Sequence, residues 1–485
     1  MAHQSLIRRR LLRCLAIAAA AFGGACFDGV NVNAGETRSP NVVLIVADDL
    51  GWADLACYGG DLHETPRLDQ FAQQGVRFTQ AYAAAPVCTP TRAALMTGKY
   101  PARLHMTVWL ERSQSPDQGH PLLPPQTRTN LPHEETTLAE LLDEVGYLTA
   151  HIGKWHLGLA THYPETQGFD INIGGTHWGA PPTFFFPYRG NWSNTTERRY
   201  VPDLAGGDEG EYLTDRLTDE ALEVIRAAGD RPFFLHLAFH TVHTPIEGKP
   251  ALVDRYRQRL SNELRHQNAD YAAMVHSLDE NIGRVLDELD RLGVAENTLV
   301  IFTSDNGGYI NVHRGQRVTD NTPLRSGKGS LYEGGIRVPL IIRTPGNSAR
   351  AGKACEEPVI TMDLFATVQD LLAAQPSVPD GVSLLPLLDD PDAALDRPAL
   401  YFHYPHYYST TTPVSAVRAG PWKLLHYYED DRDELYHLGG DLAESDDRAA
   451  SQQDQAARLR EMLDQWLVDV SAQLPEQVVA GTPDG

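Results

Sequence analysis

The chain has 485 residues, with 41 Lys and Arg against 64 Asp and Glu, a formal charge of −23. Its first 34 residues hold four basic groups and one acid, so without them the charge is −26. A surface this acidic argues against nucleic-acid or anionic-membrane partners, and five cysteines are too few for a disulfide scaffold.

The chain opens with Arg8, Arg9, Arg10 and Arg13, an apolar run from Leu15 to Phe22, and the small residues Gly23, Gly24 and Ala25. This reads as an export signal over residues 1–34, cleaved after Ala25 or after Ala34. The apolar run is too short to span a bilayer, so no transmembrane segment is expected in the mature chain. Gly-Gly-Ala before Cys26 lacks the usual leucine of a lipid-anchoring site, which makes a lipoprotein the minor alternative. Cys14 and Cys26 fall in or beside the leader; Cys57, Cys88 and Cys355 remain. That scarcity fits a bacterial periplasmic or secreted protein, where the sequons at Asn191 and Asn194 carry no weight.

Length alone suggests about three domains, whereas the pattern suggests two after the leader: residues 35–390 and 391–485. Asn41–Val46 is a continuous apolar run, as expected for a strand buried on both faces. Similar runs recur at Tyr147–Ile152, Phe233–Phe239, Leu299–Thr303 and Leu340–Arg343. Between them lie helical patterns at Pro66–Gln74, Thr137–Val145, Thr214–Ala227 and Ala269–Leu292, and Asp363–Leu372 follows. The alternation predicts an α/β fold with a large, mostly parallel central sheet flanked by helices. Beyond Arg397 the segments Leu400–Tyr404, Ala416–Arg418, Trp422–Tyr428 and Glu434–Leu438 predict a small antiparallel sheet. A helix over Gln455–Val470 packs on it, and the tail after Leu474 is expected to be disordered.

Several strand ends carry chemistry. Asp48-Asp49 is followed by Gly51, and Asp305-Asn306 by Gly307-Gly308. Ligands collect beyond the carboxyl ends of strands in open α/β sheets. Neighbours in a strand point oppositely, so a turn must bring both members of a pair together, which the glycines permit. One pair alone would be turn chemistry; two make a hard oxygen site suited to Ca²⁺ or Mg²⁺. Gly153-Lys154-Trp155-His156-Leu157-Gly158 places a cation and an imidazole on one face if the backbone stays extended. His240-Thr241-Val242-His243-Thr244-Pro245 follows another strand, and Arg325-Ser326-Gly327-Lys328-Gly329 leads into Tyr332–Arg337. Cys88-Thr89-Pro90-Thr91-Arg92, continuing to Thr97-Gly98, sets a thiol and a guanidinium four apart, able to face one anionic ligand.

Together these blocks resemble the sulfatase family, specifically the formylglycine-dependent, arylsulfatase- and N-acetylgalactosamine-sulfatase-like members of the alkaline phosphatase superfamily. The likeness runs from about Asn41 to about Leu438, with the specific motifs ending at Pro339. It implies that a formylglycine-generating or sulfatase-maturating enzyme oxidises Cys88 to formylglycine, whose hydrate is the nucleophile. It implies a divalent cation, usually calcium with magnesium the alternative, on Asp48, Asp49, Cys88, Asp305 and Asn306. The remaining catalytic positions are Arg92, Lys154, His156, His243 and Lys328. Of these, Lys154, Lys328 and Arg92 clamp the anion, His243 with Lys328 protonates the leaving oxygen, and His156 takes the second hydroxyl proton. His105, His177 and His406 are the candidates for binding a sulfated saccharide. The expected activity is hydrolysis of sulfate esters on a carbohydrate. The alternatives are phosphonate monoester or phosphodiester hydrolysis, and an inactive carbohydrate-binding relative.

Overall fold

The computed structural model describes residues 38–115, 119–193, 195–346, 350–374 and 378–478. The leader over 1–34, with Cys14 and Cys26, and the sequon position Asn194 lie outside the described residues.

The central sheet contains, in chain order, β1 (Asn41–Ala47), β2 (Val76–Tyr82), β3 (Leu148–Gly153), β4 (Ile171–Ile173), β5 (Phe233–Ala238), β6 (Thr298–Ser304), β7 (Arg337–Arg343), β8 (Lys353–Cys355) and β9 (Val359–Ile360). Their spatial order is β8-β2-β7-β6-β1-β5-β3-β4, with β9 also paired to β2. Every pairing is parallel except those of β7, which runs against both β6 and β2. Residues of β1 alternate between two cores. Val43 and Ile45 pack with the helices Leu213–Ala228 and Ala269–Arg291, while Val42, Leu44 and Val46 pack with Cys88–Thr97, Leu138–Glu144 and Asp363–Leu371. Burial on both faces explains why these strands read as unbroken apolar runs.

This arrangement decides where the chemistry collects. Because β6, β1, β5 and β3 are parallel neighbours, their carboxyl ends meet at one edge. Ala47 pairs with Ser304 and Gly153 with Ala238, so Asp48 arrives beside Asp305, and Lys154 beside the segment that leads to His243. The inverted strand β7 begins at that same edge, which brings the preceding Lys328 segment to it.

Beyond β9, four antiparallel strands, Leu400–Tyr404, Val414–Ala419, Trp422–Tyr427 and Arg432–His437, form the small sheet, with the helix Gln453–Asp469 against it. This unit shares a core with Tyr82, Val87, Ala94 and Tyr100, at the back of the Cys88 helix. The tail departs from expectation: Glu476–Gln477 is a strand paired with Leu122–Leu123. Val76–Tyr82 was not expected as a strand, because only alternate residues of its amino-terminal half are buried and no apolar run marks it.

Candidate active site

Cys88 is the first residue of the helix Cys88–Thr97, entered from an extended Val87. Negative charge developing at its side chain therefore lies at a helix amino terminus. The buried Sγ is 3.3 Å from Lys328 Nζ and 3.7 Å from Asp48 Oδ1. Burial pushes the thiol up to about 12, Lys154 and Lys328 opposing and Asp305 and Asp48 reinforcing. An unmodified Cys88 would thus hold its proton at neutral pH.

Pro90 sits in the first helical turn, where its missing N–H costs little, and Arg92 follows one turn after Cys88. The guanidinium does not reach the cavity. Its Nε and NH2 meet Asp305 Oδ2 at 2.9 and 2.8 Å, and NH1 donates to the Lys154 carbonyl at 2.9 Å. The expectation that Arg92 clamps the anion is corrected: Arg92 is absent from the cavity wall and is tied to Asp305 and the Lys154 carbonyl, its NH2 ion-paired with Asp305 but making no hydrogen bond among the described residues.

The two acidic pairs converge through a turn at Asp49 rather than at the following glycines. Asp49 itself takes the left-handed conformation, φ +62°, which swings its side chain toward that of Asp48. Asp48 Oδ2 accepts from Lys154 Nζ at 2.7 Å. Asp49 Oδ1 accepts from Lys328 Nζ at 2.6 Å and Asn306 Nδ2 at 2.8 Å, and the Asp49 N–H donates to Asp305 Oδ1 at 3.2 Å. Gly307 lets this turn dock: a Cβ there would lie 2.0 Å from the Gly334 carbonyl oxygen. Burial, with Asp305 and Asp49 adding to it, pushes Asp48 up to about 8 despite Lys154. For Asp49 and Asp305, burial is outweighed, by Lys328 and His243 in the first and by Arg92 and the two lysines in the second, and both are held low.

His243 Nδ1 faces the Thr244 carbonyl at 2.8 Å, and Nε2 lies 3.6 Å from Asp49 Oδ2. Burial pushes this imidazole down to about 3, against the pull of Asp49. A neutral ring donating through Nδ1 turns an Nε2 lone pair toward a carboxylate oxygen. Two facing acceptors call for a cation between them. Asn306 Oδ1 is buried with no hydrogen-bond partner among the described residues. Atoms of Asp48, Asp49, Cys88 and His243 all lie within 4.8 Å of one another, so a divalent cation fits the residues present. His243 adds a nitrogen beside the expected oxygen set, and the Asp305 oxygens, which also accept from Arg92 and the Asp49 N–H, border the same cluster. A second buried group, Asp54, His63 and His266, is explained by hydrogen bonds. Asp54 already accepts from Gly51 N, Tyr271 OH and Thr319 Oγ1, and its carbonyl meets His63 Nδ1.

His156 is also left-handed, φ +60°, so Lys154 and His156 do not converge through an extended backbone as expected. Lys154 turns to Asp48, and His156 Nε2 turns to Glu111 Oε2 at 2.7 Å. Burial pushes His156 down to about 4 despite Glu111. His240 is buried with neither ring nitrogen hydrogen-bonded among the described residues.

The cavity over Cys88 has a volume of about 240 Å³, with Asp49, His156, His243 and Lys328 at its base and Trp109, Glu111, Gly179, Trp192, Arg199, Tyr309 and Tyr408 around it. None of the three histidines named for the saccharide is on its wall. His105 Nε2 meets the Ser471 carbonyl, His406 Nε2 meets Thr107 Oγ1, and His177 Nδ1 meets Tyr163 OH, each at 2.8–2.9 Å. Their nitrogens satisfy local polar groups instead. Glu111, Arg199, Trp192, Tyr309 and Tyr408 carry no sequence motif; they reach the wall from the short helix Leu110–Ser113, one short hairpin and separated loops.

The profile of the sulfatase family matches residues 40–374, and that of the carboxy-terminal part of N-sulphoglucosamine sulphohydrolase matches 327–473. The chain belongs to the sulfatase family. A sulfatase of Formosa agariphila is 33% identical, over 90% of each chain. The N-acetylgalactosamine-6-sulfatase of Rattus norvegicus is 34% identical over 76% of this chain and 69% of its own. The crystal structure of Ps i-CgsB with k-i-k-neocarrahexaose superimposes with a TM-score of 0.72 at 30% identity, over 88% of this chain and 93% of that one. The phosphonate monoester hydrolase of Agrobacterium radiobacter, at 22% identity, shares the fold. This sulfatase is therefore an enzyme of the sulfuric ester hydrolase class.

Proposed function

We propose that this sulfatase removes sulfate from a sulfated carbohydrate, with residue 88 as formylglycine and a divalent cation, calcium or alternatively magnesium, in the acidic cluster. The observation that carries the reading is the meeting of Cys88, Asp48, Asp49, Lys154, Lys328 and His243 at one sheet edge, beneath a single cavity. A hydrated aldehyde at 88 would supply the nucleophilic oxygen, and Asp48, Asp49, residue 88, Asp305 and Asn306, with His243 beside them, would hold a cation able to neutralise sulfate charge.

The protein's own groups do the rest. Lys328 Nζ, next to both Asp49 and Sγ on the cavity wall, is the charge partner and proton source for the leaving oxygen. His243, its Nδ1–H held by the Thr244 carbonyl, keeps its lone pair for the cluster and does not take the expected acid role. Lys154 keeps Asp48 in place, and Arg92 does the same for Asp305. The aromatic faces of Trp109, Trp192, Tyr309 and Tyr408 suit the apolar faces of a sugar ring. The carbohydrate substrate is supported by the neocarrahexaose in the Ps i-CgsB complex and by the name of the rat relative. Export, as a periplasmic or secreted protein, and maturation by a formylglycine-generating enzyme belong to the same reading. So does the division into a catalytic unit over 35–390 and a closing subdomain over 391–485.

Peptide mass analysis across residue 88, on protein co-expressed with a maturating enzyme, is expected to show the aldehyde in place of the thiol. Activity on a panel of sulfated galactose, N-acetylgalactosamine, glucosamine and uronate is expected to track that conversion. Full activity with an intact thiol, or a strong preference for phosphodiesters, would overturn the proposal.

A further inference from the structure

His156 is held far more tightly than a pocket-lining side chain needs to be. Its backbone N–H donates to the Thr176 carbonyl at 2.9 Å, and its carbonyl accepts from Thr89 Oγ1 at 2.9 Å. That same hydroxyl oxygen accepts from the N–H of Leu110 at 3.1 Å. The residue after Cys88 therefore ties together the segment bearing His156 and the short helix bearing Glu111. Gly179 lies flat on the imidazole: a Cβ there would be 2.4 Å from His156 Cε1. Its N–H donates to Glu111 Oε1 at 3.1 Å, leaving Oε2 for His156 Nε2 at 2.7 Å. Arg199 NH1 stands 3.4 Å from Glu111 Oε1. Burial is outweighed by His156, Arg199 and the Gly179 N–H, which hold Glu111 ionised. His156 Nδ1 is buried without a hydrogen-bond partner among the described residues.

A carboxylate can only accept, so the nitrogen facing it must carry the hydrogen. We propose that Glu111 is the positioning residue of His156: it fixes the Nε2–H tautomer and leaves the Nδ1 lone pair as the acceptor for a proton released at residue 88. The O–H proton at residue 88 would pass to Nδ1 as that oxygen's electron pair closes the aldehyde C=O and the C–O bond to sulfate breaks, sulfate leaving with the bonding pair. The imidazolium that results keeps its Nε2–H on an ionised Glu111, and the proton leaves to solvent from Nδ1 once sulfate has departed. This rests on the reading of residue 88 given above. The logic is that of the buried acid that orients a catalytic histidine in serine hydrolases, with the two ring nitrogens exchanged.

The tautomer can be read without turnover. In protein labelled with ¹⁵N-histidine and carrying Cys88→Ala, the His156 resonances, assigned by their loss in His156→Ala, are expected to show hydrogen on Nε2 and none on Nδ1. In Glu111→Gln, whose amide can donate or accept, both tautomers are expected. Hydrogen on Nδ1 in the parent, or an unchanged spectrum in Glu111→Gln, overturns the proposal. In the matured enzyme, Glu111→Gln is expected to lower kcat on the order of 10²-fold with KM nearly unchanged. It should add no further loss in the His156→Ala background. An equal loss in both backgrounds would show that Glu111 acts independently of His156. An unchanged kcat in His156→Ala would remove the proton-acceptor role. An intact thiol in active enzyme would overturn the reading of residue 88 and leave the Cys88→Ala spectra to decide the tautomer alone.

Discussion

Asp49 and His156, near φ +60°, are non-glycine residues in a sparsely populated region, a cost of about 1–3 kcal/mol each. Each is over-determined by its surroundings: Asp49 by Lys328, Asn306 and Asp305, His156 by Thr176, Thr89 and Glu111. The acidic pairs and the Lys-x-His spacing were visible in the sequence, but the turn that aims them was not. A left-handed aspartate or histidine leaves no mark where a glycine stands nearby to take the credit. Lys328 can be tested at this scale. It touches both Asp49 and Cys88, and burial fails to lower it because Asp49 and Cys88 hold it well above the usual lysine value. Lys328→Met should lower kcat/KM for an aryl sulfate by ~10²–10³, as expected for one preorganised charge partner. A loss below tenfold would place Lys328 outside the reaction.

Between elements, two devices set stability. The helix Leu138–Glu144, just before β3, begins with a reciprocal cap: Thr137 Oγ1 accepts from the Glu140 N–H at 3.1 Å, and Glu140 Oε2 accepts from the Thr137 N–H at 2.8 Å. Thr137→Ala should cost about 1 kcal/mol, read as a lower urea midpoint with kcat unchanged. The small sheet is joined to the segment before β7 by a buried network in which Lys423 Nζ meets Glu333 Oε1 and Glu444 Oε1, each at 2.9 Å. Burial would raise Glu333, but Lys423 and Arg337 outweigh it and hold it at about 2. Between pH 4.5 and about 2 the unfolded chain binds that proton more readily, so the contribution is present above 4.5 and lost as pH falls through about 2. Glu444 behaves oppositely. Burial, reinforced by Glu333, pushes it to about 7 despite Lys423, so its contribution is present below 4.5 and lost as pH rises through about 7. Thermal unfolding from pH 4.5 to 7 should therefore show a falling Tm component in the wild type that is missing in Glu444→Gln. Parallel Tm–pH curves would refute this.

Over the whole molecule, an acidic protein must receive an acidic substrate. At −23 for the whole chain, long-range repulsion is expected to slow the approach of the multiply sulfated oligosaccharide proposed as substrate. Salt shortens that reach to ~10 Å at 0.1 M, whereas Lys154 and Lys328, buried beneath the cavity, are screened much less. The expectation is that kcat/KM for such an oligosaccharide rises between 0.02 and ~0.15 M NaCl, while that for a monosulfated aryl ester changes little. A monotonic fall for the oligosaccharide would mean that a local basic field dominates the encounter.

The central strands could be read directly from the sequence because strands buried on both faces must be apolar throughout, and Asn41–Ala47 or Thr298–Ser304 have no polar face to disguise them. The strand-end motifs were legible for a related reason: an ion-binding or anion-binding edge needs specific groups within a few residues of a turn. What only the tertiary structure decided was direction and partnership. Arg92 turned to Asp305 instead of the cavity, and His105, His177 and His406 settled on local oxygens. Glu111 and Arg199, from an unmarked short helix and a short hairpin, met at the wall. Such contacts join residues tens to hundreds of positions apart, and their choice depends on which buried polar atom lacks a partner once the sheet has closed. No local pattern along the chain records that balance.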